Sequence, residues 1–168
     1  MAESESTRNS EVANPGATGG QVRIERLYLK DSSFESPHAP EIFGNRGAPE
    51  FQLEINTKST GLAQDRVEVV LAVTLRARVD QGRTAYIVEV QQAGLFQIAG
   101  FDAPMMQRIL GTFCPTTLFP YVRETIDSLV TRGGFPPVHL APVNFDALFA
   151  EALRKQQSPE AVPPPVAH

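Results

Sequence analysis

Apolar and polar residues alternate along the first hundred positions of the chain and then change period. Phe51, Leu53 and Ile55 alternate with Gln52, Glu54 and Asn56, the period-two pattern of a strand with one buried face. Val67, Val69, Leu71, Val73, Leu75, Ala77 and Val79 form a longer run of one parity, opposite a mixed set that includes Glu68, Thr74, Arg76 and Arg78. Asp80, Gln81, Gly82 and Arg83 make a short turn into a further strand at about 84 to 91, which predicts an antiparallel hairpin. An earlier strand is expected at 22 to 30. Its apolar parity changes from Val22 and Ile24 to Leu27 and Leu29, which implies a bulge or two contacted faces.

Beyond residue 100 the spacing becomes helical. Asp102 is a cap, Pro104 suits a first helical turn, and Met105, Met106, Ile109, Leu110 and Phe113 follow at helical intervals. Pro115 should break or kink this helix, and Pro120 fits the next segment only with local adjustment. Leu118, Val122, Ile126, Leu129 and Val130 form an apolar stripe that stops at Gly133 and Gly134. The proline-rich stretch from Phe135 to Val143 must be extended, and Asn144 caps a last amphipathic helix with Phe145, Leu148, Phe149, Ala152 and Leu153 on its apolar face. The fold class is therefore α+β: a four-stranded antiparallel sheet, a long kinked helix and a C-terminal amphipathic helix.

Residues 1–20 are rich in Ser, Asn, Glu and Gly and read as a disordered arm; residues 156–168, with Pro159 and Pro163 to Pro165, read as a disordered Pro-rich tail. One domain, 21–155, remains between them. Net charge is -4. Glu3, Glu5 and Glu11 against Arg8 in the arm, and Glu160 in the tail, carry three of those four charges, so the domain is nearly neutral and no nucleic-acid partner is expected. The single cysteine, Cys114, excludes an intramolecular disulfide framework and fits a reducing cytosol. No apolar run reaches the ~18 residues of a membrane span, and the polar, acidic start is unlike a signal peptide. A cytoplasmic location is the expectation.

Catalytic chemistry finds no constellation. There is no phosphate-cradling loop, dinucleotide-binding fingerprint or nucleophile elbow, and His38, His139 and His168 lack helical partners for a metal. Cys114 reads as a buried hydrophobe, and Glu124 with Asp127 as a solvated helix face. The expectation is a protein with no catalytic residues, cofactor or metal. Apolar side chains are better supplied: Phe34, Phe43, Phe51, Phe135, Phe145 and Phe149 fall in or beside loops and termini, which points to a groove or to self-association. Asp31, Glu35 and Glu89 with Ile87 could form an acidic patch with an apolar centre, suited to a basic partner segment, or be scattered solvent carboxylates.

Residues 26–43, 88–102 and 111–149, above all the run GGFPPVHLAPVNFDALF at 133–149, closely resemble the SecB family of protein-export chaperones. The resemblance covers about 22 to 153. It implies an ATP-independent holdase that binds unfolded preproteins, keeps them translocation-competent and delivers them to the SecA motor, assembled as a homotetramer from two dimers. By matching position it implies SecA docking at Asp31, Glu35, Ile87 and Glu89, with any zinc belonging to the partner. A client groove is implied at Phe51, Leu53, Ile55, Phe135, Leu148, Phe149 and Leu153. An oligomer interface is implied along Leu118, Val122, Ile126 and Leu129. Many relatives carry a tryptophan where this chain has Gly47, so one groove wall would be missing here or supplied by Phe51 or Phe43. Two other readings stand beside this one: a SecB-like chaperone dedicated to an antitoxin, and an oligomeric small-ligand-binding protein using the same groove.

Overall fold

A computed structural model describes residues 19–157. Four strands, β1 (Gln21–Glu35), β2 (Glu50–Gly61), β3 (Arg66–Val79) and β4 (Arg83–Ala99), form one antiparallel sheet in the order β1-β4-β3-β2. Because β1 and β2 are the two edges, the chain between them, with a short 3-10 turn at Glu41–Gly44, must cross one end of the sheet. Ser36 and His38 tie this crossover to the start of β4, bonding the carbonyls of Ala85 (2.8 Å) and Thr84 (3.0 Å).

The parity change read in β1 is a pair of irregularities, between Ile24 and Arg26 and between Leu29 and Asp31. Each shifts the register by one residue, so Val22 and Ile24, then Leu27 and Leu29, then Ser32 and Phe34 all turn toward the same side. β1 also runs five residues past its expected end. The last strand is longer still: expected at 84 to 91, it continues to Ala99. Its second half is disguised because Gln92 and Gly94 occupy inward positions, where Phe96 lies over the bare Gly94 backbone.

Pro115, expected to break or kink the helix, does not break it but follows a local irregularity. The chain is helical from Ala103 to Arg132, as α1 (Ala103–Arg108), a π-helical segment Ile109–Phe113 and α2 (Cys114–Arg132). Asp102 caps the start by accepting from the Met105 amide (2.9 Å). The wide π turn immediately before Pro115, with the Cys114 amide donating to the Ile109 carbonyl, lets the axis continue past a residue that has no N–H. Thr112 donates its hydroxyl to the Arg108 carbonyl (2.8 Å), giving that acceptor a partner in the widened turn. At the far end Gly134, at φ +85, closes a Schellman motif: its amide bonds Thr131 and that of Phe135 bonds Val130. Gly133 leaves room for the Phe34 ring, which a β-carbon would displace.

α2 packs chiefly on β4 and β3, and the core lies between them. Val69, Leu71, Val73, Leu75 and Ala77 on β3 meet Val88, Val90, Phe96 and Ile98 on β4 and Leu118, Val122, Ile126 and Val130 on α2. This corrects the expected oligomer interface. Leu118, Val122 and Ile126 are wholly buried against the chain's own sheet and Leu129 is partly buried, so the apolar stripe is core, not surface. An amphipathic stripe reports that a helix face is covered and not by what.

α3 (Phe145–Gln157) starts with Asn144 accepting from the Ala147 amide (3.0 Å), as its pattern predicts. Phe145 stacks edge-on against Phe119 of α2. The extended connector before it is held beside α2 by the Asp127 carboxylate, which accepts the Val138 amide at 3.1 Å. The helix reaches Gln157, two residues into the expected tail; the rest of that tail, and the arm up to residue 18, lie outside the described residues. Among the described residues no helix is long and apolar enough to cross a membrane.

Candidate functional site

Two surfaces of the sheet carry the residues singled out in the sequence. The first is the inner face of β2. Phe51 is paired with Ala77, Leu53 with Leu75 and Ile55 with Val73, so all three point to the side on which α2 lies. The expectation that this face is buried is not met within the chain: Phe51 is 52% and Leu53 38% exposed, and Ile55 is partly buried. α2 covers the centre of the sheet and leaves its β2 margin open.

The same sheet rung that holds Phe51 and Ala77 continues to Tyr86 on β4, about 10 Å from β2 at ordinary strand spacing. Tyr86 is the middle of an aromatic cluster: its ring centroid is 4.7 Å from Phe135 and 5.9 Å from Phe34, and Phe135 is 5.1 Å from Phe43. The crossover, the end of β1, the start of β4 and the connector after α2 therefore meet in one aromatic floor, with Phe43 left half-exposed. Burial pushes the Tyr86 phenol up to about 12, so the ring stays neutral. Phe34, named from the sequence only among the aromatics that suggest a groove or self-association, and Tyr86, not named among them, are absent from the groove implied by the resemblance. Phe34 lies beyond the expected end of β1, and Tyr86 shares the inward parity of Val88 and Val90, a signal that was legible. Gly47 stands close to this end, where a β-carbon would meet the Asp80 carboxylate at 2.7 Å.

Leu148, Phe149 and Leu153 do not join that floor. The Phe149 ring fills the space over Gly111, and with Leu153 it lines a cleft closed by Pro104, Gln107, Arg108 and Asp146. Gly111 and Gly133, which touch Phe149 and Phe34, are separated by about 33 Å of helix at 1.5 Å per residue. Phe149 and Leu153 thus stand at one apolar station and the aromatic floor at another along one long helix, while Leu148 is exposed on α3 and does not line the cleft.

The second surface is the opposite, outer face of the sheet. Glu89 pairs with Ser33 on β1 and Thr74 on β3, Ile87 with Glu35 and Arg76, and Gln91 with Asp31 and Ala72. Asp31 and Glu35 are therefore the diagonal neighbours of Glu89, at roughly 7–8 Å. All three carboxylates are exposed and Ile87 is half-buried beside them. The second β1 bulge is what turns Asp31 and Glu35 to this face. Arg76, also diagonal to Glu89, places a cation at the patch margin that the sequence reading left out. Cys114 is fully buried and burial holds its thiol at about 12, well away from nucleophilic chemistry.

A long helix laid across a four-stranded antiparallel sheet, with an open apolar margin, is the architecture of a SecB-like chaperone. The SecB-like chaperone Rv1957 of Mycobacterium tuberculosis, solved with a ChAD peptide from the HigA1 antitoxin, superposes with a TM-score of 0.63 over 73% of this chain and 91% of its own, at 19% identity, which speaks for the fold alone. The family model for the preprotein translocase subunit SecB matches residues 16–156. The protein-export protein SecB of Marinomonas sp. (strain MWYL1) is 51% identical over 82% of this chain and 86% of its own. That of Marinobacter nauticus (strain ATCC 700491 / DSM 11845 / VT8) is 44% identical over 96% and 94%. The chain belongs to the SecB family of protein-export chaperones.

Proposed function

We propose that the protein acts as an ATP-independent cytoplasmic holdase, working as a homotetramer, that captures unfolded preproteins on its open apolar margin and passes them to SecA. Family membership implies preproteins and SecA as partners. The observation that carries client capture is the uncovered inner face of β2, where Phe51 and Leu53 stand exposed beside the cluster of Phe135, Phe43 and Tyr86. An unfolded chain offers short apolar segments, and a surface that holds each of them weakly gains affinity by holding several. The Phe149 and Leu153 cleft, with Leu148 exposed on the same helix, is a second holding point. A separation of about 33 Å corresponds to about ten extended residues of client.

SecA docks on the outer face through Asp31, Glu35 and Glu89 with Ile87 as the apolar centre. The cross-strand register supports this by bringing residues from 31, 35, 87 and 89 into one patch. For assembly, Met105, Phe113 and Tyr121 are apolar side chains left exposed on the long helix and suit contact between copies.

The test is refolding of a slowly folding preprotein diluted from denaturant without ATP. A stoichiometric amount of tetramer is expected to retard it, and unchanged refolding refutes the holdase reading. Glu89→Lys is expected to weaken SecA binding about tenfold while leaving client capture intact; equal loss of both would show that the two surfaces are not separate.

A further inference from the structure

The outer face of the sheet is electrically divided along its strands. One rung holds Arg23, Gln97 and Arg66, and the next holds Arg26, Leu95 and Glu68. A third rung carries Tyr28, Ala93, Val70 and Lys58. Lys30, in the second bulge of β1, reaches the same face and bonds Glu68 at 2.8 Å, and Arg66 pairs with Glu25 at 3.0 Å. Those pairs engage Glu68 and Glu25 on the strands, while Asp65 lies exposed in the turn just before Arg66. Arg23 and Arg26 are exposed and have no ion-pair partner among the described residues. Six residues along β4, about 20 Å at 3.4 Å per residue, the face turns acidic at Glu89.

We propose that this basic end, with Arg23 and Arg26 as its unpaired cations and Leu95 and Val70 as its apolar centre, docks an acidic segment of a partner protein. It is a site distinct from the Asp31, Glu35 and Glu89 patch and does not depend on what that patch binds. Two guanidiniums on neighbouring rungs present planar donor forks that match carboxylates. The flat, half-buried apolar side chains between them and β2 give an incoming segment area to cover. The charge division selects a narrow ligand. Glu68, held below the usual carboxylate range by bonds from Lys30 and Tyr28, stays ionised inside the basic region, and the acidic patch follows about 20 Å on. A broad anionic surface, a bilayer or a nucleic-acid duplex, would press negative charge onto both; an acidic peptide can lie along Arg23 and Arg26 and avoid them.

The test uses the full chain and a labelled twelve-residue peptide of alternating Glu, Asp and Leu, with anisotropy as readout. Binding is expected to weaken about tenfold in Arg23→Glu/Arg26→Glu and to fall steeply between low and moderate salt. Asp31→Lys/Glu89→Lys, which leaves the basic end intact, is expected to bind the peptide at least as well as wild type. Circular dichroism confirms that each variant is folded, and amide NMR shifts on peptide addition are expected at 23–30, 66–70 and 93–97. Equal binding by wild type and Arg23→Glu/Arg26→Glu overturns the proposal. So does preference for anionic phosphatidylserine vesicles or duplex DNA over the peptide, or salt-sensitive self-association of the chain that excludes the peptide.

Discussion

Leu53 and Leu75 sit directly opposite each other on neighbouring strands, on the same face of the same sheet, and their fates differ completely. Leu75 is 1% exposed beneath α2; Leu53 is 38% exposed at the open margin. Their sequences look alike, since both β2 and β3 alternate apolar with polar residues, and both patterns predict burial. What separates them is the reach of one helix. α2 is a single cylinder about 10 Å across laid over four strands, and it covers β4 and β3 before β2 is reached. The covered strand builds stability, while the uncovered one retains apolar surface that nothing within the described residues covers, the surface proposed above for client capture.

The largest effect expected from this contrast is on folding. Leu75→Ala should cost about 2–5 kcal/mol of unfolding free energy, by lost transfer energy and the cavity left behind, read in a denaturant titration. Leu53→Ala, the same deletion one strand away, should cost under about 1 kcal/mol and instead impair the retardation of preprotein refolding. Comparable destabilisation by both would mean that the margin is closed in solution.

Reactivity gives a second measure of the covered side. Burial holds the Cys114 thiol at about 12, so alkylation at pH 8 should be slow in the native protein and become fast in denaturant. Rapid native alkylation would show that the long helix lifts from the sheet.

The smallest effect is electrostatic and belongs to the outer face. Glu68 is held below its ordinary 4.5 by bonds from Lys30 and then Tyr28. A depressed carboxylate stabilises the fold above its unfolded value and loses that contribution as pH falls through its folded one. The same contact raises Tyr28 to about 12 from 10.0, chiefly through the Glu68 bond, so its contribution is present below pH 10 and fades toward 12. Glu68→Gln should therefore be less stable than wild type by under about 1 kcal/mol at pH 7. The difference should shrink progressively as pH falls below the ordinary 4.5 and through the lowered range of Glu68. A gap that does not change with pH would assign it to packing and not to charge.

Much of the architecture was legible in the chain. The caps at Asp102 and Asn144 and the glycine stop at Gly133 and Gly134 depend only on neighbours a few residues away, and each formed as its local chemistry dictates. The parity change between Ile24 and Leu27 announced a real bulge for the same reason. At Pro115 the sequence leaves a break and a local irregularity equally open, and the structure takes the second, a π turn that absorbs the missing N–H. The inner residues of β4 beyond Val90 were missed because Gln92 and Gly94 interrupt an apolar period that the flanking strands restore.

The candidate sites divide in the same manner. Asp31, Glu35 and Glu89 could be named from the sequence, but only the register made Asp31 and Glu35 the diagonal neighbours of Glu89 and put Arg76 at their edge. The sequence by itself determined which residues are apolar, the order of the elements and their local caps, and the family to which the chain belongs. Tertiary structure alone decided that the Leu118, Val122 and Ile126 stripe is core while Phe51 and Leu53 remain open, and that Phe149 lies at the Gly111 end of the long helix, away from the aromatic floor. The reason is that periodicity records a preference for leaving water, whereas the surface that satisfies it depends on where a distant element comes to lie.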